Sequence, residues 1–154
     1  MNKHFIDLMK ETALHLTGKE VKFVINEGEP LHTGGQEVAG WTCKNIFDEP
    51  TITLQYIYLE SEFVKRFCHE CAHVLLHLKE MGDSDGLTSS GGDLVQVEGK
   101  ITPAIQKYLD QRELEAETLA EKWYQAAQSH VMGWQRNNAA ALLRALLRLS
   151  RGIV

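Results

Sequence analysis

The sequence predicts an α+β fold in which a short twisted β-sheet packs on a helix with a histidine motif, followed by a glutamate-bearing helix and a C-terminal helix. Apolar residues recur at helical spacing from Phe63 to Leu78, whereas side chains alternate between two faces from Thr51 to Leu59. The length of 154 residues, with 44% hydrophobic and 24% charged residues, fits one globular domain. We therefore expect a single domain over residues 1–154.

Charge and composition restrict the classes of function. A formal charge of −5 gives no overall attraction to nucleic acid, so we expect no direct nucleic-acid binding. No run approaches the ~18 apolar residues of a membrane span, and residues 1–10 lack the continuous apolar core of a signal peptide. Three cysteines, an odd number, fit reduced thiols better than a disulfide framework. These features predict a cytoplasmic protein without a membrane span.

Residues 1–60 are predicted to supply an N-terminal helix and the β-sheet. Apolar residues at helical spacing over residues 2–17 precede Gly18, which is a typical helix C-cap. Val21, Phe23 and Ile25 then alternate with polar residues, and this pattern indicates a strand.

Two further strands are predicted after a glycine-rich stretch. Residues 31–40 fit a hairpin or loop, and residues 38–47 could form a short strand. The strongest strand covers residues 51–59, with Ile52 and Leu54 on one face. We expect this strand to present an edge to which an extended peptide can add by backbone hydrogen bonds.

The rest of the chain divides into three helices and a loop. Ser61 can cap the motif helix, and Thr102 followed by Pro103 is typical of a helix start. The glycine- and serine-rich composition between these helices predicts a mobile loop. The segments are the motif helix 61–80, the loop 81–101, the glutamate-bearing helix 102–129 and the C-terminal helix 138–152.

The stretch Cys68-His69-Glu70-Cys71-Ala72-His73 contains an H-E-x-x-H motif. On a helix, residues four apart lie about 40° apart around the axis and roughly 6 Å along it, so His69 and His73 can direct two imidazoles at one point. Glu70 can face the same site. Two neutral histidines with a carboxylate beside an open coordination position allow a hydrolase to bind zinc and activate a water molecule. The motif therefore predicts a zinc site.

A catalytic zinc ion commonly has three protein ligands, so the sequence must supply a third. The Cα of His77 lies roughly 12 Å from that of His69 on an unbroken helix, too far for three rings to converge. The next candidates are Glu113, Glu115 and Glu117 on the helix after the loop. Because residues two apart point in roughly opposite directions, at most one of these three carboxylates faces the metal squarely. We favour Glu115, which precedes an alanine that would let the two helices approach closely.

Cys68 and Cys71 form a C-x-x-C pair inside the motif helix. No second pair completes a structural zinc site, and a redox-active pair would lie at a helix start after a strand. We therefore expect both cysteines to be small, buried, apolar residues.

Two blocks resemble the ImmA/IrrE family of gluzincin metallopeptidases: Phe67 to His77, FCHECAHVLLH, and Glu113 to Ala120, ELEAETLA. The resemblance implies a zincin-like fold and peptide hydrolysis. By motif position it also implies that His69, His73 and Glu115 bind Zn²⁺ and that Glu70 is the general base. The resemblance also implies a bacterial or mobile-element setting, often with cleavage of a helix-turn-helix repressor.

The predicted function is zinc-dependent hydrolysis of a peptide bond in a protein or peptide, with a transcriptional repressor as a candidate substrate. A donor for the tetrahedral oxyanion is also expected. Its candidates are Tyr108, Tyr124, His130 and His32.

An alternative function is that of a non-catalytic zinc-binding regulator or anti-repressor that acts by binding another protein. The run from Ala139 to Arg151 supports it, because a basic, leucine-rich amphipathic helix can dock on a partner or a membrane surface. Such a helix can equally pack its leucines on its own domain.

Overall fold

The computed structural model describes residues 3–26, 32–33, 36–37, 40–42, 49–55, 60–83 and 103–151. Helices predominate over a small β-sheet in these residues, and this confirms the predicted α+β class. The elements are α1 (Lys3–Thr17), β1 (Lys22–Asn26), β2 (His32–Thr33), β3 (Gln36–Glu37), β4 (Gly40–Thr42), β5 (Thr51–Gln55), α2 (Glu60–Asp83), α3 (Pro103–Ser129), a short 3-10 helix (Gly133–Gln135) and α4 (Ala139–Ser150).

The helix boundaries follow the predicted segments within a few residues. Gly18 ends α1 with a φ of 79°, a left-handed conformation that favours glycine, and its N–H donates to the Leu14 carbonyl at 2.7 Å. The predicted loop 81–101 begins later than expected, because residues 81–83 continue α2. Residues 84–101 of that loop lie outside the described residues, as do residues 56–59 of the strand predicted over residues 51–59.

The sheet has β5 at its centre. β1 pairs with β5 in parallel, with Lys22 opposite Thr51, and β4 pairs with the other side of β5 in antiparallel register. Ile52 and Leu54 are both 0% exposed, as the alternation predicted. The expectation that this strand presents a free edge is wrong for residues 51–55, because strands flank it on both sides. β2 and β3 form a separate two-residue antiparallel pair, which confirms a hairpin within residues 31–40.

α2 is the helix around which the other elements pack. It contacts α1, α3 and α4, and it also lies against β4 and β5. Phe67 of α2 stacks on Phe23 of β1 with ring centroids 5.7 Å apart, so the motif helix is fixed directly on the sheet. The largest buried side chains come from α1, β5, α2 and α4: Met9, Ile52, Leu54, Phe63, Phe67, Val74, Leu142, Leu143 and Leu146.

The C-terminal helix α4 packs its leucines into this core. Asn138 caps it, and its side-chain oxygen accepts a hydrogen bond from the Ala141 N–H at 2.9 Å. Leu142 is 0% exposed and Leu146 1%, whereas Arg148 is exposed. The leucine face is therefore used inside the domain. Among the described helices, none is both long enough and apolar enough to cross a bilayer.

Candidate metal centre

α3 packs on α2 through small side chains. Ala116, Ala120 and Ala127 are 0%, 6% and 0% exposed. Residues three, four or seven apart share one face of a helix, so these alanines form a stripe that lets the two backbones approach closely. Lys65 of α2 lies over the ring of Tyr124 at the far end of this stripe, 5.1 Å from the ring centroid.

Three polar side chains meet at the other end of the stripe. Nε2 of His69 lies 3.0 Å from Oε1 of Glu113, and Nε2 of His73 lies 3.0 Å from Oε2 of the same carboxylate. The two imidazole Nε2 atoms are 3.1 Å apart. The predicted convergence of His69 and His73 is thus observed, and the three side chains form a group that could hold a metal ion.

The spacing within this group suits tetrahedral coordination. Bonds from zinc to imidazole nitrogen and carboxylate oxygen are about 2.0–2.2 Å long, which separates two tetrahedral ligand atoms by roughly 3.3 Å. The observed separations of 3.0–3.1 Å are close to that value. The side chain of His73 is 6% exposed, but those of His69 and Glu113 are 27% and 48% exposed. One side of the group is therefore open to solvent.

The glutamate that lies beside the two histidines is Glu113, whereas the sequence analysis favoured Glu115 as the third metal ligand. The carboxylate of Glu115 is exposed and accepts hydrogen bonds from Gln111 and Arg112, each at 3.3 Å. Each helical residue turns by about 100°, so Glu113 shares the face of Ala116, whereas Glu115 points about 100° away from it. The structure thus brings Glu113, rather than the favoured Glu115, to the two histidines. The missed signal was the alanine spacing, which places Glu113 in line with the buried stripe.

Two other sequence candidates lie outside the group. Glu117 is exposed, one turn beyond Glu113. His77 is 6% exposed, one turn beyond His73 on α2. Burial lowers the pKa of His77, and the positive charges of Arg112 and Lys19 act in the same direction. The exclusion of His77 by helix geometry agrees with its position in the structure.

Comparison of the chain with protein-family models, with curated proteins and with solved structures finds no match. The functional interpretation therefore depends on residue chemistry and on the geometry of this group. The resemblance to the ImmA/IrrE family stays a prediction.

The other polar and sulfur-containing residues of the motif are buried in α2. Glu70 is 5% exposed and lies in the same helical turn as the two histidines. Cys68 and Cys71 are both 0% exposed and free, and desolvation raises the pKa of each thiol. They are protonated near neutral pH, which confirms that they act as small buried residues rather than as a reactive pair.

The candidate oxyanion donors have hydrogen-bond partners on their own helix. The Tyr124 hydroxyl accepts from Nε2 of Gln128 at 2.5 Å, and the Tyr108 hydroxyl accepts from Nε of Arg112 at 3.4 Å. Nδ1 of His130, at the exposed end of α3, lies 2.9 Å from the Ala126 carbonyl oxygen. For His32, only the strand position is described. These hydrogen bonds tie the first three side chains to α3 itself.

Proposed function

We propose that this protein is a zinc-dependent peptidase in which His69, His73 and Glu113 bind the metal and Glu70 is the general base. The observation that carries the proposal is the mutual approach of three side chains from two helices: each imidazole Nε2 lies 3.0 Å from one oxygen of Glu113, and the two Nε2 atoms are 3.1 Å apart. A neutral imidazole Nε2 either donates one hydrogen or accepts one, so hydrogen bonds cannot satisfy all three contacts at once. One cation between the three side chains can satisfy them together.

The residues of the site have distinct roles in the proposed reaction. A zinc ion held by His69, His73 and Glu113 would supply the Lewis acidity that polarises a scissile carbonyl and lowers the pKa of a water molecule. Glu70 accepts the proton of that water and delivers it to the leaving amine. The solvent-open side of His69 and Glu113 leaves space for the substrate beside the ligands.

The substrate backbone is proposed to bind along β4 rather than β5. Among the described strands, β4 pairs only with β5, so its other edge can accept an extended peptide. β4 also lies against α2, the helix that carries the histidines. This arrangement would align a peptide past the metal group by backbone hydrogen bonds.

The order of β5, α2 and α3 supports a zincin-like fold of the ImmA/IrrE type, in which a strand precedes the H-E-x-x-H helix and a later helix supplies a glutamate. A repressor of the helix-turn-helix class is the substrate that this resemblance implies. The alternative, a non-catalytic regulator, drew its support from the leucines of α4. Because those leucines are buried in the core, no observation on the described residues favours it.

The proposal is tested by measuring bound zinc per chain together with the hydrolysis of a mixed peptide library. Glu70→Gln should keep the metal and lower the rate about 10²–10⁴-fold, the usual contribution of general acid–base catalysis. His69→Ala should lose both metal and hydrolysis. Glu60→Gln, at the start of the same helix, is the matched control and should behave as wild type. Wild-type cleavage by Glu70→Gln would contradict the general-base role.

A further inference from the structure

A groove lies directly beside His69, between α2 and α3. Its volume is about 620 Å³, within the usual range for sites that hold a ligand or a large side chain. His69 and Lys65 line it from α2, while Leu114, Glu117 and Tyr124 line it from α3. Because one metal-group histidine forms part of its wall, a substrate residue next to the metal would extend into this groove.

The two positively charged side chains of the groove already interact with other residues of the protein. Nζ of Lys65 lies 3.2 Å from Oε1 of Glu62, and this ion pair raises the pKa of the lysine. The same ammonium also lies over the ring of Tyr124. Arg66, the second cationic residue of the wall, likewise has an interaction partner.

The negative charges of the groove are less fully compensated. Glu117 has no hydrogen-bond or ion-pair partner in the described part of the chain. Glu121, one turn further along α3, accepts a hydrogen bond at 2.7 Å from the amide of Gln125, and its negative charge helps to raise the pKa of Lys65. A cationic group entering the groove would therefore meet a carboxylate whose charge is not neutralised.

The groove also offers apolar contact close to the metal group. Leu114 is 63% exposed, although it is a large apolar residue, and it directly follows the proposed ligand Glu113. Ala120 and Tyr124 also line the groove, but they are only 6% and 5% exposed, so Leu114 supplies most of its apolar surface. An aliphatic stem can pack on these residues while its charged end reaches the carboxylates.

We propose, resting on the peptidase function above, that this groove binds a lysine or arginine side chain of the substrate next to the bond that is cut. Glu117 is the specificity-determining residue: its carboxylate pairs with the cation, and Leu114 contacts the stem. The substrate class is a peptide with a basic residue beside the cleavage position.

The test measures binding of three dipeptide hydroxamates to the zinc-loaded protein by calorimetry. The probes differ only in the side chain beside the hydroxamate, which is lysine, norleucine or glutamate. Wild type should bind the lysine probe about fivefold more tightly than the norleucine probe, the size expected for one partly exposed ion pair. Glu117→Gln should bring this ratio to about one, and Glu117→Lys should make the glutamate probe bind more tightly than the lysine probe.

Asp110→Asn is the matched control, because Asp110 is an exposed carboxylate of α3 outside the groove, where it accepts a hydrogen bond from Gln106. This variant should keep the wild-type order of the three probes. Equal binding of the three probes by wild type, or a lysine preference that survives Glu117→Gln, would overturn the groove proposal and leave the metal site intact. Failure of the zinc-loaded protein to bind any hydroxamate would overturn the proposed peptidase function, and this inference with it.

Discussion

Oε2 of Glu113 lies 3.0 Å from Nε2 of His73, although 40 positions separate the two residues in the chain. The contact joins α3 to α2 at one end of the alanine stripe. It also decides which of three closely spaced glutamates can act with the histidines.

Replacing Glu113 by alanine should weaken zinc binding far more than replacing Glu115. Loss of residues that only support metal ligands costs about 10–100-fold in affinity, so loss of a ligand should cost more than about 100-fold. Glu115→Ala should leave affinity near wild type, because its carboxylate pairs with Arg112 on another face. Competition with a chromophoric chelator measures both affinities. A zinc affinity that falls for Glu115→Ala and not for Glu113→Ala would return the ligand role to Glu115.

Zinc should raise the thermal stability of the protein, because it would bind side chains from α2 and α3 together. A ligand at 100 times its dissociation constant adds about 2.7 kcal/mol to the free energy of unfolding, or roughly 5–10 °C in Tm for a chain of this length. Thermal melting followed by circular dichroism, with and without zinc, measures the shift. EDTA should reverse it, and His69→Ala should show none. Identical melting curves for wild type in both conditions would argue against a zinc site.

Ala116→Leu should destabilise the fold and weaken the metal group together. Ala116 is 0% exposed at the contact between α2 and α3, and a larger side chain there costs about 1–3 kcal/mol through overpacking. Displacement of α3 would also move Glu113 away from the histidines. Ala104→Leu, an exposed position on the same helix, is the control and should change stability by less than about 0.5 kcal/mol. Urea unfolding and zinc titration test both effects, and wild-type zinc affinity in Ala116→Leu would contradict the coupling.

His77 should make folding stability fall at mildly acidic pH. Because burial, Arg112 and Lys19 lower its folded-state pKa below the ordinary 6.5, the unfolded chain binds the proton more tightly. The stability contribution of neutral His77 is therefore complete above about pH 6.5 and is lost as the pH falls below that value. Urea midpoints of the metal-free protein between pH 5 and pH 8 should decline less steeply for His77→Gln. If the urea midpoints of wild type and His77→Gln declined equally as the pH falls, protonation of His77 would not contribute to the loss of stability.

Leu142→Ala should destabilise the protein without changing the metal site. Leu142 is 0% exposed in the core, and removing a buried leucine side chain typically costs about 2–5 kcal/mol. Arg148→Ala, on the exposed face of the same helix, should cost less than about 0.5 kcal/mol. Zinc affinity of the folded Leu142→Ala protein should match wild type. If this variant unfolded at the wild-type urea concentration, the leucine face of α4 would not be part of the core.

Local patterns in the sequence were sufficient to predict the elements that hold the site. Ile52 and Leu54 alternate as a strand requires, and the apolar residues around His69 and His73 follow the helical period. These patterns do not specify which strands become neighbours. β5 was therefore expected at an edge, and only the pairing with β1 and β4 shows that it is central.

The sequence by itself determined that His69 and His73 lie on one face of a helix, since four residues make a little more than one helical turn. It also excluded His77, whose Cα lies roughly 12 Å from that of His69 on an unbroken helix. Only the tertiary structure decided that Glu113, rather than Glu115 or Glu117, meets the histidines. That choice depends on the rotation of α3 about its axis, which is fixed by burial of Ala116 and Ala120 against α2. The helical period gives the angle between neighbouring side chains of α3, whereas packing decides which of these side chains faces α2.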